Sequence, residues 1–281
     1  MRTIEKFPVT MIGAGAVGTA IAEALYAKDY KIRAVVSKGG RTSKLLAKKV
    51  GASSAHDRDA LSLLDAEGVI FLAVPDDEIK NVVDALAHRT GNFSRAIVYH
   101  CSGALPSDVL SVLRKKGAAV GSFHPLQTFP RRGSGPGVFD HIWIGLEGDK
   151  KAIAIARKIA KEIGAHSLVL TARQKIFYHI GAVFSSNYFV TLLSAVETLG
   201  TLSGLTQRKA MAVYEPLILQ SYRNVKTHSA AEALTGPIAR GDRRTVARHR
   251  AALRAKGLTS IADLYNALAK HTSLLAKRKG T

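Results

Sequence analysis

The segment Gly13-Ala-Gly15-Ala-Val-Gly18 constrains this chain more than any other feature. It follows an apolar run, Phe7 to Ile12, that reads as a buried strand, and it leads into the helical stretch Thr19 to Ala27. Glycines punctuate many turns, so the spacing is informative only in this order of strand, turn and helix. In that order Gly13 allows a sharp turn at the strand end, Gly15 allows a backbone to approach a pyrophosphate, and Gly18 allows helix to pack closely on strand. Ala16 and Val17 complete the loop, and the helix start offers unpaired N–H groups and a partial positive charge to phosphates. The competing reading is a purely structural glycine turn; the context favours a dinucleotide.

The second strand, Ile32 to Val36, and a lysine-rich helix, Thr42 to Lys49, complete a strand-helix-strand unit. An acid at the end of that second strand would bond the ribose 2′-hydroxyl of NAD. None is present. Ser37, Lys38, Gly39, Gly40, Arg41, Thr42 and Ser43 stand there instead, and a cluster of hydroxyls and cations suits the 2′-phosphate of NADP, with Ser37 and Arg41 as selectors. Ordinary loop and helix-surface residues would look the same. Further on, Ala73, Val74, Pro75 and Asp76 close another strand, where a Rossmann domain lines the path towards the nicotinamide; Pro75 alone would equally terminate a strand.

Apolar runs recur at Val69 to Val74, Ala96 to Tyr99, Ala118 to Phe123 and Ile142 to Leu146, with helical patterns between most of them. The expectation is an α/β fold, a doubly wound Rossmann domain with a mostly parallel sheet covered on both faces. Between Ser122 and Phe139 the chain gathers Pro125, Pro130, Pro136 and several glycines around Arg131 and Arg132, which reads as a long functional loop. A last helix-strand pair, Lys151 to Ile163 and His166 to Leu170, closes the sheet. After Thr171 strand signals stop, and helical patterns cover Gln174 to Leu202, Gln207 to Thr227, Thr245 to Ala255 and Ile261 to Leu275. This divides the chain into a dinucleotide-binding domain, 1–170, and an all-helical substrate and dimerisation domain, 171–281; 281 residues at 47% hydrophobic content can bury both cores.

Cys101 is the single cysteine, so no internal disulfide forms and a reducing cytoplasm is the expected setting. Met1 to Pro8 lacks the apolar run of a signal peptide, and the other apolar stretches read as too short or too interrupted to span a bilayer, so no membrane partner is expected. The net charge of +20 attracts polyanions of any kind. Its densest segment is Arg243, Arg244, Arg248, Arg250 and Arg254, with Lys277, Arg278 and Lys279 at the tail, and a solvated helix face with a frayed terminus is the plainer explanation. Zinc-finger spacing, an aromatic RNA-binding signature and heptads are all missing from the sequence, which disfavours nucleic acid and a metal centre.

In open parallel sheets ligands bind beyond the carboxyl ends of the strands. Two candidate clusters follow strands: His100-Cys101-Ser102-Gly103-Ala104 and His124-Pro125-Leu126-Gln127-Thr128. Ser102 offers a hydroxyl to a substrate carbonyl or carboxylate, while His124 either contacts substrate or bonds a loop carbonyl. Cys101 reads as a small buried residue rather than a nucleophile. A third cluster, Lys175, His179, Ser186 and Asn187, interrupts an apolar helix. On α-helical geometry His179 and Asn187 project from similar faces, where a histidine or lysine would protonate an alkoxide and an amide would orient a carbonyl. A satisfied helix histidine with a packing asparagine remains open beside that reading.

The glycine loop, His100-Cys-Ser-Gly-Ala104, Phe123-His-Pro-Leu-Gln-Thr-Phe129, the segment His179 to Asn187, and Thr235-Gly-Pro-Ile-Ala-Arg-Gly-Asp242 together resemble a family of Rossmann-like oxidoreductases with a 6-phosphogluconate-dehydrogenase-like helical C-terminal domain. That family is related to ketopantoate reductase, pyrroline-5-carboxylate reductase and deazaflavin-dependent NADP reductases, and the resemblance covers nearly the whole chain. It implies an NADP-dependent reductase of a small keto acid or imine, with a homodimer formed through the helical domain. It also implies that His179 takes the place of a catalytic lysine before Asn187, a departure that leaves the substrate unassigned. Arg240 in the turn before Asp242 would clamp a carboxylate or pair with that aspartate. A non-catalytic dinucleotide-binding regulator is the reading outside the enzyme class.

Overall fold

The computed structural model describes residues 6–55, 66–89, 91–129 and 135–278. Contacts divide the chain into two compact units, 1–186 and 187–281. The division falls later than the change of pattern at Thr171 because the first helix beyond Thr171 buries Lys175 among groups of the sheet.

In the first unit the strands are β1 (Val9–Ile12), β2 (Ile32–Val36), β3 (Ser53–Ala55), β4 (Glu67–Leu72), β5 (Arg95–His100), β6 (Ala119–Pro125), β7 (Trp143–Gly148) and β8 (His166–Val169). Among the described residues they form one sheet of order β3-β2-β1-β4-β5-β6-β7-β8. Every neighbouring pair is parallel except β6 with β7. Helices α1 (Ala16–Tyr26), α2 (Gly40–Lys49), α3 (Asp76–Arg89), α4 (Ser111–Lys115) and α5 (Lys150–Glu162) belong to this unit, and α6 (Ala172–Val183) follows β8. The order reverses at β1, which has β2 on one side and β4 on the other, and this leaves a crevice beyond their carboxyl ends.

Strand alternation sends side chains to two cores. Met11, Phe71, Tyr99 and Phe123 face one layer together with Ile21 and Leu25 of α1 and Ile159 of α5. Ile70, Leu72, Val98 and Val120 face the other with Ile79, Val83 and Leu86 of α3. Burial on both faces explains why the central strands read as continuous apolar runs. Phe71 stacks on Tyr99 at 5.3 Å between ring centres and meets Phe123 edge-on at the same distance, contacts of about 0.5–1.5 kcal/mol each beyond their burial.

Several elements differ from the sequence expectation. β3, Ser-Ser-Ala, carries no apolar run and exists through its backbone pairing with β2. β6 extends to Pro125, so His124 lies in the strand opposite Gly145 rather than in a loop. Pro130, Arg131, Arg132 and Gly133 of the expected loop lie outside the described residues, as does Lys279.

The stretch expected as one helix contains α6, a π turn over Phe184–Tyr188, and α7 (Phe189–Leu202). The π turn breaks the α-helical period on which a shared face for His179 and Asn187 rested. The same stretch, Ala172–Leu202, spans 31 residues and contains an 18-residue window of mean hydropathy 1.3, long and apolar enough by length and composition alone to cross a bilayer. This corrects the expectation that every apolar stretch is too short or interrupted; exposed side chains such as Phe177, Phe184 and Val190 raise its hydropathy.

The second unit holds α7, α8 (Gln207–Thr227), α9 (Ala230–Ala233), α10 (Arg243–Ala255) and α11 (Thr259–Lys277). Thr206, Ser229 and Asp242 cap α8, α9 and α10 by accepting N–H bonds from the first turn. Gly200 of α7 meets Ala210 of α8 so closely that an added Cβ would lie 2.5 Å from the alanine Cβ.

Candidate functional site

Two neighbouring features of the first unit converge at the carboxyl ends of β1, β2, β4, β5 and β6. The first is a cavity of about 460 Å³ lined by Gly13, Gly15, Ser37, Lys38, Ala73, Val74 and Pro75, with Glu78, Asn81 and Val82 of α3 on its far side. The glycines have distinct jobs. A Cβ on Gly13, whose φ is +105°, would lie 2.2 Å from the Ala73 carbonyl oxygen, and one on Gly18 would lie 2.0 Å from the Gly13 carbonyl oxygen. Gly13 and Gly18 therefore pack the turn against β4 and against itself. A Cβ on Gly15 would meet nothing within 4 Å, which leaves its backbone open to the cavity at the start of α1.

At the β2 end the Ser37 hydroxyl donates to the Gly39 carbonyl and lies 3.4 Å from Thr42 Oγ1. Lys38 Nζ reaches Glu78 Oε1 at 2.6 Å. Arg41, on the exposed side of α2, is not among the lining residues, whereas Lys38 is. Ala16 and Val17 open α1 behind Gly15. A dinucleotide fits this site: the glycine backbone borders an open space, a hydroxyl and a cation stand at the β2 end, and Ala73, Val74 and Pro75 line the wall beyond β4.

The second feature centres on Lys175, which is 1% exposed. The helix that carries it starts with a capping box, Thr171 with Gln174. Its ammonium donates to the Ser102 carbonyl at 2.6 Å and to Ser122 Oγ at 2.7 Å. Burial lowers its pKa to about 8, with the carboxylates of Glu147 and Asp76 among the groups that oppose the fall.

Ser102 is fully engaged: its hydroxyl donates to Asp76 Oδ2 at 2.7 Å and accepts from the Ala104 and Leu105 N–H groups. That places Ser102 as a holder of Lys175. Because Asp76 directly follows Pro75, one chain of bonds joins the cavity wall to the buried ammonium.

Histidines surround the lysine. His124 Nδ1 lies 3.2 Å from the Tyr178 hydroxyl, and its ring meets that of His179 edge-on at 5.8 Å. Gly103 makes room for both, since a Cβ there would lie 2.4 Å from His179 Nδ1 and 2.7 Å from His124 Nε2. His179 Nδ1 is buried without a hydrogen-bond partner among the described residues. Burial, followed by the charge on Lys175, holds His124 down at about 4 and His100 at about 3, so both rings are neutral near pH 7. Burial raises the Cys101 thiol to about 12, which makes it inert as a nucleophile.

The structure thus brings Ser102, His124 and His179 together. Asn187 belongs to the other unit, where it is exposed and its carbonyl accepts from Thr191. In the sequence Lys175 stands beside His179 as a group able to donate a proton and Asp76 only closes a strand, while Ser122 and Tyr178 carry no signal of their own. The available signal was a lone cation in an apolar helix. What the pattern lacked was the fold that aims it at β5 and β6.

Residues 3–125 match the model of a Rossmann-like domain, and residues 142–272 match that of the domain of unknown function DUF2520. A comparison with curated proteins returned no match. Among solved structures, the chain is similar to a Bacteroides fragilis protein described provisionally as an NADP oxidoreductase, at 24% identity and a TM-score of 0.79 over 95% of this chain and 98% of that one. It is similar to a Thermotoga maritima protein at 28% identity and 0.70, over 97% and 100% of the two chains. It also resembles an imine reductase from Pseudomonas at 17% identity and 0.64, over 97% and 93%. In order, then, one segment of the chain matches a Rossmann-like domain and the next matches DUF2520, and the fold is that of these structures.

Proposed function

We propose that the protein is an NADP-dependent reductase of a small carbonyl or imine compound, a keto acid or a cyclic imine, with Lys175 as the acid. The observation that carries this reading is the bonded path from the glycine-lined cavity through Pro75, Asp76 and Ser102 to a buried ammonium. NADPH supplies the hydride. Gly13, Gly15 and Gly18 shape the loop that receives its pyrophosphate, while Ser37 and Lys38 meet the 2′-phosphate. The sequence expectation gave that second role to Arg41; the lining of the cavity favours Lys38.

A carbonyl carbon that accepts hydride leaves a negative oxygen, and an imine leaves a basic nitrogen; either needs one proton. Among the groups at the ends of β5 and β6, His100 and His124 hold no proton to give at neutral pH, whereas Lys175 does. Ser122 and the Ser102 carbonyl take two of its N–H bonds, which leaves one for a substrate. His124, Tyr178 and His179 form the polar wall beside it, and the unpartnered His179 Nδ1 is available to a substrate oxygen or nitrogen.

NADPH oxidation measured over a panel of keto acids and imines tests the reading. With an accepted substrate, reductive turnover is flat from pH 6 to 7.5. It falls as pH rises through about 8, where Lys175 loses its proton. A rate that instead rises through that range contradicts lysine as the acid.

The working form is a homodimer. On the second unit Val190, Leu202, Val213, Leu217, Tyr222 and Val225 are each at least half exposed, large apolar side chains that a subunit interface would cover. Sedimentation at twice the 30.1 kDa chain mass, lost in Leu217→Asp, is expected. A monomer that partitions into neutral vesicles would contradict it and favour a membrane role for the apolar surface.

A further inference from the structure

A separate cavity of about 460 Å³ lies wholly within the second unit, between α10 and α11. Its lining carries Arg243 and Arg250 on α10 and Lys270 on α11, with Asn266 and Ser273 beside them. The spacing makes this a single surface: 243 and 250 are two turns apart on one face of α10, and 266, 270 and 273 recur at one and two turns on α11. The apolar side chains of Ile238, Val246 and Ala269 also line it.

The two helices are tied together at this place. Arg250 Nε donates to Asn266 Oδ1 at 2.8 Å, and His249 Nδ1 lies 3.1 Å from the Tyr265 hydroxyl one residue earlier on each helix. The bond to Asn266 takes only its carbonyl oxygen, so its amide N–H groups are left for a ligand. The one carboxylate in the lining, Asp242, is already used: it accepts from Thr245 N at 3.0 Å and Thr245 Oγ1 at 2.7 Å as the cap of α10. Asp242 keeps its charge in these bonds, so the lining sets three cations, Arg243, Arg250 and Lys270, against one carboxylate and carries a surplus of positive charge.

We infer that this cavity binds a small polyanion, a compound with at least two phosphate or carboxylate groups. Its volume is of ligand size, Arg243, Arg250 and Lys270 converge on it from two helices, and an arginine fork pairs with planar anionic groups. Arg243, Arg250 and Lys270 are exposed, as on a solvated basic face, but they border one concavity between two helices rather than the open side of one. A duplex nucleic acid needs an extended basic surface rather than a pocket. The inference is independent of the dinucleotide reading.

The test is calorimetric titration of the full-length protein with inorganic pyrophosphate and with citrate, at constant ionic strength, with and without saturating NADPH. Expected is binding of at least one of the two that persists in the presence of NADPH and weakens at least about tenfold in Lys270→Gln and in Arg243→Gln, neither of which removes a helix tie. NADPH affinity stays the same in both variants. The pyrophosphate and citrate arms separate a phosphate from a carboxylate ligand. Pyrophosphate binding that NADPH displaces and Lys270→Gln leaves unchanged belongs to the glycine loop and overturns the inference. So does no binding of either anion, or a DNA oligonucleotide that binds more tightly than both.

Discussion

Lys175→Met is expected to abolish turnover while the fold survives. General acid catalysis is worth about 10²–10⁴-fold, so kcat should fall by that range with NADPH binding unchanged. Stability moves less, because two effects oppose. The folded state releases the Lys175 proton near pH 8 and the unfolded chain near 10.5. Stability therefore rises with pH between those values, and below pH 8 the buried charge costs about 3 kcal/mol, an order-of-magnitude figure. Methionine removes that cost but orphans the Ser102 carbonyl and the Ser122 hydroxyl, at about 1–3 kcal/mol each. The net change is small, and the pH dependence of melting above pH 8 disappears. Activity retained in a folded Lys175→Met protein would remove this lysine from the mechanism.

Gly18→Ala and Gly15→Ala should separate folding from cofactor binding within one motif. The Gly18 Cβ would sit 2.0 Å from a backbone oxygen that cannot move without breaking the turn, so a loss of about 3 kcal/mol or more is expected. Gly15 has φ −76°, an ordinary value for alanine, and its Cβ would enter open space. Gly15→Ala should leave the protein as stable or about 0.4–1 kcal/mol more so, yet weaken NADPH by at least about tenfold, or ~1.4 kcal/mol. Thermal melting and nucleotide titration read the two effects. Equal NADPH affinity in Gly15→Ala would show that the ligand does not approach this backbone.

Much of the first unit was legible because its signals are local. A buried parallel strand announces itself as an apolar run, and Ile32 to Val36 was bounded as it is found. β3 was invisible, since Ser53 to Ala55 becomes a strand only by pairing with β2. The candidate site was legible in its glycines and in the positions of His124, Ser102 and His179, which lie at strand ends or on the helix that covers them. The burial of Lys175 was not, because only tertiary packing sets a charge from an apolar helix against Ser102 and Ser122. Asn187 was placed by an α-helical spacing that the π turn at Phe184–Tyr188 breaks. In the sequence Arg41 and Lys38 are two cations of one cluster, and only the cavity distinguishes them.

The proposed chemistry depends on a dinucleotide site at the β1–β4 crevice that prefers the phosphorylated cofactor. Titration of the purified protein with NADPH and with NADH at moderate salt, followed by nicotinamide fluorescence, tests it most directly. Saturable binding of NADPH at least about tenfold tighter than NADH is expected, with the preference lost in Lys38→Ala. Binding of neither nucleotide would contradict it.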